Sequence, residues 1–145
     1  MRQGMSDHRI TVLPGDGTGR EVALEAQRIL DTIQNHSNHG FEQTVIDCGG
    51  EHYLATGEEW AEGSFELCKN ETDAIFLGAI GYPGARLPNG DLAGGSVILG
   101  LRSGLDLFAN VRPIKLYDGV PHKIHGSFRQ IWEPGMVDMT ILREN

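Results

Sequence analysis

Residues 10–19 read ITVLPGDGTG and residues 73–84 read DAIFLGAIGYPG. Each is an apolar run that breaks into a glycine-rich turn. In the first, Ile10, Val12 and Leu13 mark a strand over 8–13, and Pro14 to Gly19 turns the chain. Val22, Ala23, Ala26, Ile29, Leu30 and Ile33 then recur at helical spacing to about Gln34, which predicts a helix with one buried face. In the second, the run 73–80 is almost continuously apolar, the pattern of a central strand covered on both faces.

The polar run 35–40 ends the first helix, with Gly40 as its stop. Residues 41–48 alternate and read as a second strand. Residues 49–70 read as two short helices broken near Thr56-Gly57. A Gly- and Pro-rich loop covers 81–95, and Ser96 is a suitable cap for a helix to about Gly104. Residues 108–117 are extended around Pro113, residues 118–134 are irregular, and residues 137–143 form a last strand. Strands alternating with helices predict an α/β fold, a layered, largely parallel sheet with flanking helices. The expected organisation is a flexible lead over 1–8, a first β/α domain portion over 9–106, and strands of a second domain over 107–145.

The 145 residues carry 12 Lys and Arg against 20 Asp and Glu, a net charge of −8. A phosphate backbone needs a basic face, so nucleic acid is an unsuitable partner. An anionic small molecule would need only a few Arg gathered in one place. Cys48 and Cys68 have neither CxxC spacing nor a matching His cluster, which argues against a disulfide framework or a zinc site and for a reducing cytoplasm. No apolar run approaches membrane-spanning length, so no membrane partner is expected. The six His show no metal-ligand spacing and read as surface or structural residues. Glu58-Glu59 reads as a solvated helix start, favoured by the helix dipole.

In open α/β sheets ligands bind beyond the carboxyl ends of strands, and both glycine-rich loops leave such ends. The loop Gly15-Asp16-Gly17-Thr18-Gly19 could cradle a phosphate with backbone N–H groups. Its pattern is GxGxG, whereas a dinucleotide fingerprint is GxGxxG. The acid that should follow about 20 residues on falls about 30 on, at Asp47. A tight strand-to-helix turn therefore explains it better. Gly78 to Gly84 permits a similarly close backbone approach and is equally compatible with a plain turn. Arg102, Arg112 and Arg143 are the third feature. A planar guanidinium grips a carboxylate with two hydrogen bonds, and three of them suit a dicarboxylate. Arg112 lies in an apolar strand beside Asn110, which argues against a merely solvated charge. Structural salt bridges to Asp106, Asp138 and Glu144 are the alternative, and spacing does not decide between the two.

Together these motifs resemble the isocitrate/3-isopropylmalate dehydrogenase family. ITVLPGDGTGREV resembles its opening strand, turn and helix, and DAIFLGAIGYPG its third strand and cofactor-side loop. LRSGLDLFANVRPIKLY resembles the segment with two substrate-binding Arg, here Arg102 and Arg112, and TILREN the strand with the third, Arg143. The resemblance implies an isopropylmalate dehydrogenase-like, non-Rossmann α/β fold, incomplete here. It also implies oxidative decarboxylation of a 2-hydroxy acid with NAD or NADP and Mg²⁺ or Mn²⁺. Arg102, Arg112 and Arg143 would bind substrate carboxylates. Gly15, Asp16, Gly17, Gly81, Tyr82, Pro83 and Gly84 would lie at the nicotinamide end of the cofactor. Ser96, Ile98 and Leu99 would face the substrate's variable group. Ile98, where isocitrate enzymes carry Asn, favours 3-isopropylmalate, malate or tartrate over isocitrate.

In the family the metal-binding Asp, the Lys and the catalytic Tyr come after the position matching Asn145. The resemblance therefore implies that this chain is an amino-terminal portion, inactive alone, which self-associates or needs a complementary second chain. Two rival readings stand beside it. One is a non-catalytic, dicarboxylate-binding or regulatory protein of the same fold. The other is an unrelated α/β domain in which the Arg are structural.

Overall fold

A computed structural model describes residues 6–124, 126–129 and 131–144. The chain divides into two units, residues 1–105 and 106–145. In the first, strand β1 (Ser6–Gly15) is followed by helix α1 (Thr18–His36), strand β2 (His39–Val45), helices α2 (Gly50–Thr56) and α3 (Ser64–Asn70), strand β3 (Ala74–Ala79) and helix α4 (Gly95–Gly104). The three strands form one parallel sheet in the order β2-β1-β3. Ile10 of β1 pairs with Gln43 on one side and Ala74 on the other.

This order corrects the expectation for residues 73–80. The central strand is β1, where Thr11, Val12 and Leu13 are almost fully enclosed. β3 is an edge of this sheet, and Leu77 is 37% exposed. No residue of β3 is fully buried here, and a continuous apolar run does not rank two such strands. β1 also begins earlier than expected. Asp7 and His8 pair with Gly40 and Phe41, so part of the predicted lead is strand, while the lead's first five residues lie outside the described ones. Gly40 belongs to β2, not to a helix stop, and α1 runs on to His36.

Leu13, Cys48, Cys68, Val97 and Leu101 form the core, with Trp60, Phe65, Ile75 and Ile80 packed against it. Only part of the predicted apolar face of α1 is covered. Ala23 is buried, while Val22, Ile29 and Ile33 are exposed. The approach of β1, α1 and β3 depends on glycine. A Cβ on Gly78 would stand 2.1 Å from the Pro14 carbonyl oxygen, and one on Gly19 2.5 Å from the same atom. The interruption at Thr56-Gly57 is as expected. Gly57 adopts φ 85° and donates its N–H to the Tyr53 carbonyl, closing α2 in the left-handed cap that glycine favours.

The second unit contains strands β4 (Ala109–Lys115), β5 (His122–Ile124), β6 (Ser127–Arg129) and β7 (Asp138–Glu144). β4 and β7 form an antiparallel ribbon separate from the parallel sheet. The segment expected to be irregular contains the hairpin β5-β6. Its strands are three residues each, too short for alternation to be legible. His122 lies in this hairpin, and His125 falls outside the described residues.

Candidate active-site elements

The turn after β1 is organised by the carboxylate of Asp16, which is 4% exposed. One of its oxygens accepts the backbone N–H of Gly50 at 2.9 Å and that of Gly81 at 2.8 Å; the other accepts the N–H of Glu51 at 2.8 Å. The Asp16 N–H donates to the Ala79 carbonyl at 2.7 Å. One side chain thus ties the β1 turn to the start of α2 and to the loop leaving β3. A buried carboxylate requires this kind of satisfaction, because leaving it unpaired costs several kcal/mol. The close approach also fixes Gly49, where a Cβ would stand 2.6 Å from an Asp16 oxygen.

Sequence spacing treats the two glycine-rich loops as separate signals, and the structure brings them together. Gly15, Asp16, Gly17 and Gly81 form one cluster, with Tyr82 beside Gly50. Their tasks differ. Gly15, at φ 72°, would drive a Cβ to 2.1 Å from the Ala79 carbonyl oxygen, so it serves packing. Gly17 and Gly81 adopt positive φ with open space where a Cβ would be, and both are exposed, as are Tyr82, Pro83 and Gly84. A flat group can approach the cluster on this side.

Arg20, in the first turn of α1, donates to Asp47 at 3.0 Å and to Glu51 at 3.1 Å. Asp47, weighed above as a ribose-binding acid, is here a partner of this guanidinium. The Cys48 thiol is buried beneath. Burial pushes its pKa up to about 11, against a hydrogen bond with the Gly15 backbone that acts in the other direction. Such a thiol is a core residue and a poor nucleophile.

Helix α4 presents Val97 and Leu101 to the core. Ile98, Leu99 and Arg102 fall on another face, three and four residues apart. Leu99 is 62% exposed, and Ile98 and Arg102 are partly exposed. Ser96 is not the cap. The cap position is Gly94, and the acceptor is the carboxylate of Glu59, which takes the N–H groups of Gly94 and Ser96. Glu59 therefore does not begin a solvated helix. It lies before α3 and closes the amino end of a different helix.

A cleft of about 480 Å³ in the first unit lies against this cap. Its wall carries Glu58, Glu59, Glu62 and Glu66 with Trp60 and Ser96, and no Lys or Arg. Its size would nominate it for a ligand, but its charge repels a carboxylate. The cationic side chains lie elsewhere.

Arg112 and Arg143 occur in the β4-β7 ribbon. The register pairs Asn110 with Arg143 and Arg112 with Ile141. Paired residues share a face, as do residues two apart along a strand. Arg112 and Arg143 are thus diagonal neighbours on one face, with Asn110 beside both. The Arg112 Nε–H donates to Asn110 Oδ1 at 2.9 Å, which leaves the terminal nitrogens for another acceptor. Two candidate structural partners lie on the opposite face. Asp138 pairs with Lys115 at 3.3 Å, and Glu144 stands across from Ala109. Both Arg are exposed in the ribbon, so their terminal nitrogens are open to a ligand. A two-stranded ribbon has no covering layer of its own, and alternation within a strand does not reveal that. Arg102 belongs to the other unit, so the structure unites two of the three predicted guanidiniums.

Among the described residues no group of three or more His, Cys, Asp or Glu side chains could hold a metal ion. The described residues do not by themselves supply a divalent-metal site. No described helix is long and apolar enough to cross a membrane.

Comparison with known proteins bears on the family and the fold. A 3-isopropylmalate dehydrogenase of Corynebacterium glutamicum (strain R) is 38% identical over 136 residues, 94% of this chain and 36% of that protein. One from Clostridium acetobutylicum is 36% identical over 114 residues, 79% of this chain and 32% of that protein. The chain thus spans about a third of the length of the curated relatives it matches. A beta-decarboxylating dehydrogenase of Thermococcus kodakarensis, solved in its apo form, superposes with a TM-score of 0.65 at 28% identity. That match covers 95% of this chain and 34% of the other. The fold is therefore the layered α/β fold of the decarboxylating dehydrogenases, as expected. The profile of the isocitrate/isopropylmalate dehydrogenase family matches residues 9–145, and the chain belongs to that family.

Proposed function

We propose that this chain supplies the substrate-carboxylate and nicotinamide-side elements of an NAD(P)-dependent oxidative decarboxylase acting on a 2-hydroxy dicarboxylic acid. The observation that carries the reading is the placement of Arg112 and Arg143 on one face of the β4-β7 ribbon. A substrate carboxylate can take bidentate hydrogen bonds from a guanidinium so placed. Arg102, on the face of α4 shared with Ile98 and Leu99, is a further candidate partner for a substrate carboxylate. Ile98 and Leu99 favour an apolar substituent on the substrate, which supports 3-isopropylmalate over isocitrate. The open sides of Gly17 and Gly81, with Tyr82 to Gly84, accept the nicotinamide end of the cofactor.

A divalent metal, held by groups outside the described residues, would supply Lewis-acid polarisation of the substrate hydroxyl. In this reading its ligands come from outside the described residues, and so do the Lys and Tyr that move protons. The chain's own groups bind and orient: the Arg hold the carboxylates, and the braced turn holds the cofactor side. We further propose a cytoplasmic protein that functions as a homo-oligomer or with a complementary polypeptide.

The test follows NADH or NADPH absorbance with Mg²⁺ or Mn²⁺ and 3-isopropylmalate, malate, tartrate or isocitrate. The 145-residue chain is expected to give no turnover. A polypeptide that continues it with the family's remaining segments is expected to turn over a dicarboxylate and to lose that activity on Arg112→Ala. Turnover that survives Arg112→Ala would overturn the assignment.

A further inference from the structure

We infer that Asn89 is a site of spontaneous covalent modification, an amide that converts to an acid through a cyclic imide, and that its contact with Asp91 slows the conversion.

Asn89-Gly90 is the one Asn-Gly pair in the chain. It lies at the tip of a small hairpin between β3 and α4. The Gly90 N–H donates to the Leu87 carbonyl at 2.9 Å, closing a turn over Leu87, Pro88, Asn89 and Gly90. The Leu87 N–H donates to the Asp91 carbonyl at 2.9 Å, and the Ala93 N–H to the Ala85 carbonyl at 3.0 Å. Gly90 takes φ 92°, as the glycine after such a hairpin turn does. Residues 88–92 are all exposed, so water reaches the tip.

Asn is a chemically labile residue, and its conversion here needs only water. The Gly90 nitrogen attacks Asn89 Cγ and gives up its proton. The Cγ–Nδ2 bond breaks, and that nitrogen leaves as ammonia. The imide ring then takes up one water. Opening at one carbonyl gives aspartate; opening at the other gives isoaspartate, whose backbone runs through Cγ. Nothing is oxidised or reduced. A following glycine assists the attack because no Cβ shields its nitrogen, and around Gly90 no atom lies within 4 Å of where a Cβ would be.

In the closed hairpin both reacting groups are engaged elsewhere. Asn89 Nδ2 donates to Asp91 Oδ2 at 2.8 Å, and Asn89 Oδ1 accepts the Asp91 N–H at 3.1 Å. The Gly90 N–H is held by Leu87. The Asp91 carboxylate also disfavours the negative charge that develops as Gly90 loses its proton. The reaction therefore proceeds when the turn opens, and the closed turn retards it. The product reverses the contact. A carboxylate replaces the amide opposite Asp91, and attraction becomes repulsion. The turn that holds Arg86 Nη1 on the Gly90 carbonyl at 2.7 Å is then disfavoured.

The test incubates the 145-residue chain in mildly alkaline buffer, then digests it with trypsin and weighs the peptides. Residues 87–102 form one tryptic peptide, in which Asn89 is the only Asn. That peptide is expected to exchange the mass of an NH₂ for that of an OH and to split into two isomers. Peptides carrying Asn35, Asn38, Asn70 and Asn110 are expected to stay unchanged over the same time. Asn89→Gln should leave the mass of its peptide fixed. Asp91→Ala should speed conversion about fivefold, the equivalent of one ordinary hydrogen bond.

A peptide 87–102 that converts in guanidinium but stays unchanged in the native chain, with or without Asp91→Ala, overturns the site. Conversion at Asn89 no faster than at Asn35, Asn38, Asn70 or Asn110 overturns it as well. Conversion at one rate in the unaltered chain and in Asp91→Ala overturns the role of Asp91.

Discussion

The Asp16 carboxylate accepts the Gly81 N–H at 2.8 Å, joining the turn after the central strand to the loop after β3 across 65 positions of sequence. The same side chain takes the N–H groups of Gly50 and Glu51. Asp16→Ala would leave three N–H groups without this acceptor around a buried position. It is expected to lower unfolding stability by about 3 kcal/mol or more. Asp16→Asn keeps one acceptor oxygen and should cost less. Urea unfolding followed by circular dichroism checks the order. Equal stability of all three proteins would show that the brace contributes little.

Arg9 and Asp73 predict an acid-sensitive contact. The Arg9 guanidinium and backbone N–H both donate to Asp73, which holds its pKa at about 2 against an ordinary 3.8. The folded value is the lower one. The contribution is therefore complete above the unfolded pKa and is lost as pH falls from about 4 through 2. Melting temperatures across that range should fall more steeply for the unaltered chain than for Asp73→Asn. Both side chains are over 40% exposed, so the difference is expected to be modest and to shrink in high salt.

Two glycines predict opposite signs. Gly78→Ala would push a Cβ to 2.1 Å from the Pro14 carbonyl oxygen, backbone that cannot swing aside. A loss of about 1–3 kcal/mol or more is expected from the strain. Gly100 lies within α4 with open space around its missing Cβ. Gly100→Ala should stabilise by about 0.5–1 kcal/mol, since alanine is the better helix former. Paired thermal melts read both.

Cys48 should behave as a core thiol. It is fully enclosed, and its pKa is raised to about 11. Under native conditions at pH 8, Ellman's reagent should react with it only as fast as the core opens, and immediately in guanidinium. Fast native labelling would mean that the β1 turn opens readily.

The order and type of most elements were legible in the sequence, because apolar periodicity and glycine punctuation are local signals. Gly57 ends a helix as its position suggests, and ITVLPGDGTG is a strand, a turn and a helix start. Relations between distant segments were less legible. Spacing alone does not show that Asp16 holds Gly81, that Glu59 caps a helix beginning 36 residues later at Gly95, or that β1 is the central strand. A three-residue hairpin such as β5-β6 is too short for a period. The Arg residues were identifiable as candidates from their type and setting. Which of them share a face depends on strand register, and the pairing of Asn110 with Arg143 supplies it for two of them.

In the proposed function Arg112 and Arg143 grip one dicarboxylate together. The most direct measurement is an NMR titration of ¹⁵N-labelled chain with 3-isopropylmalate, following the side-chain Nε–H signals of these two Arg. Both signals are expected to shift along one saturable isotherm, and Arg143→Ala is expected to abolish the shift at Arg112. Signals that do not move, or that move with different midpoints, would contradict it.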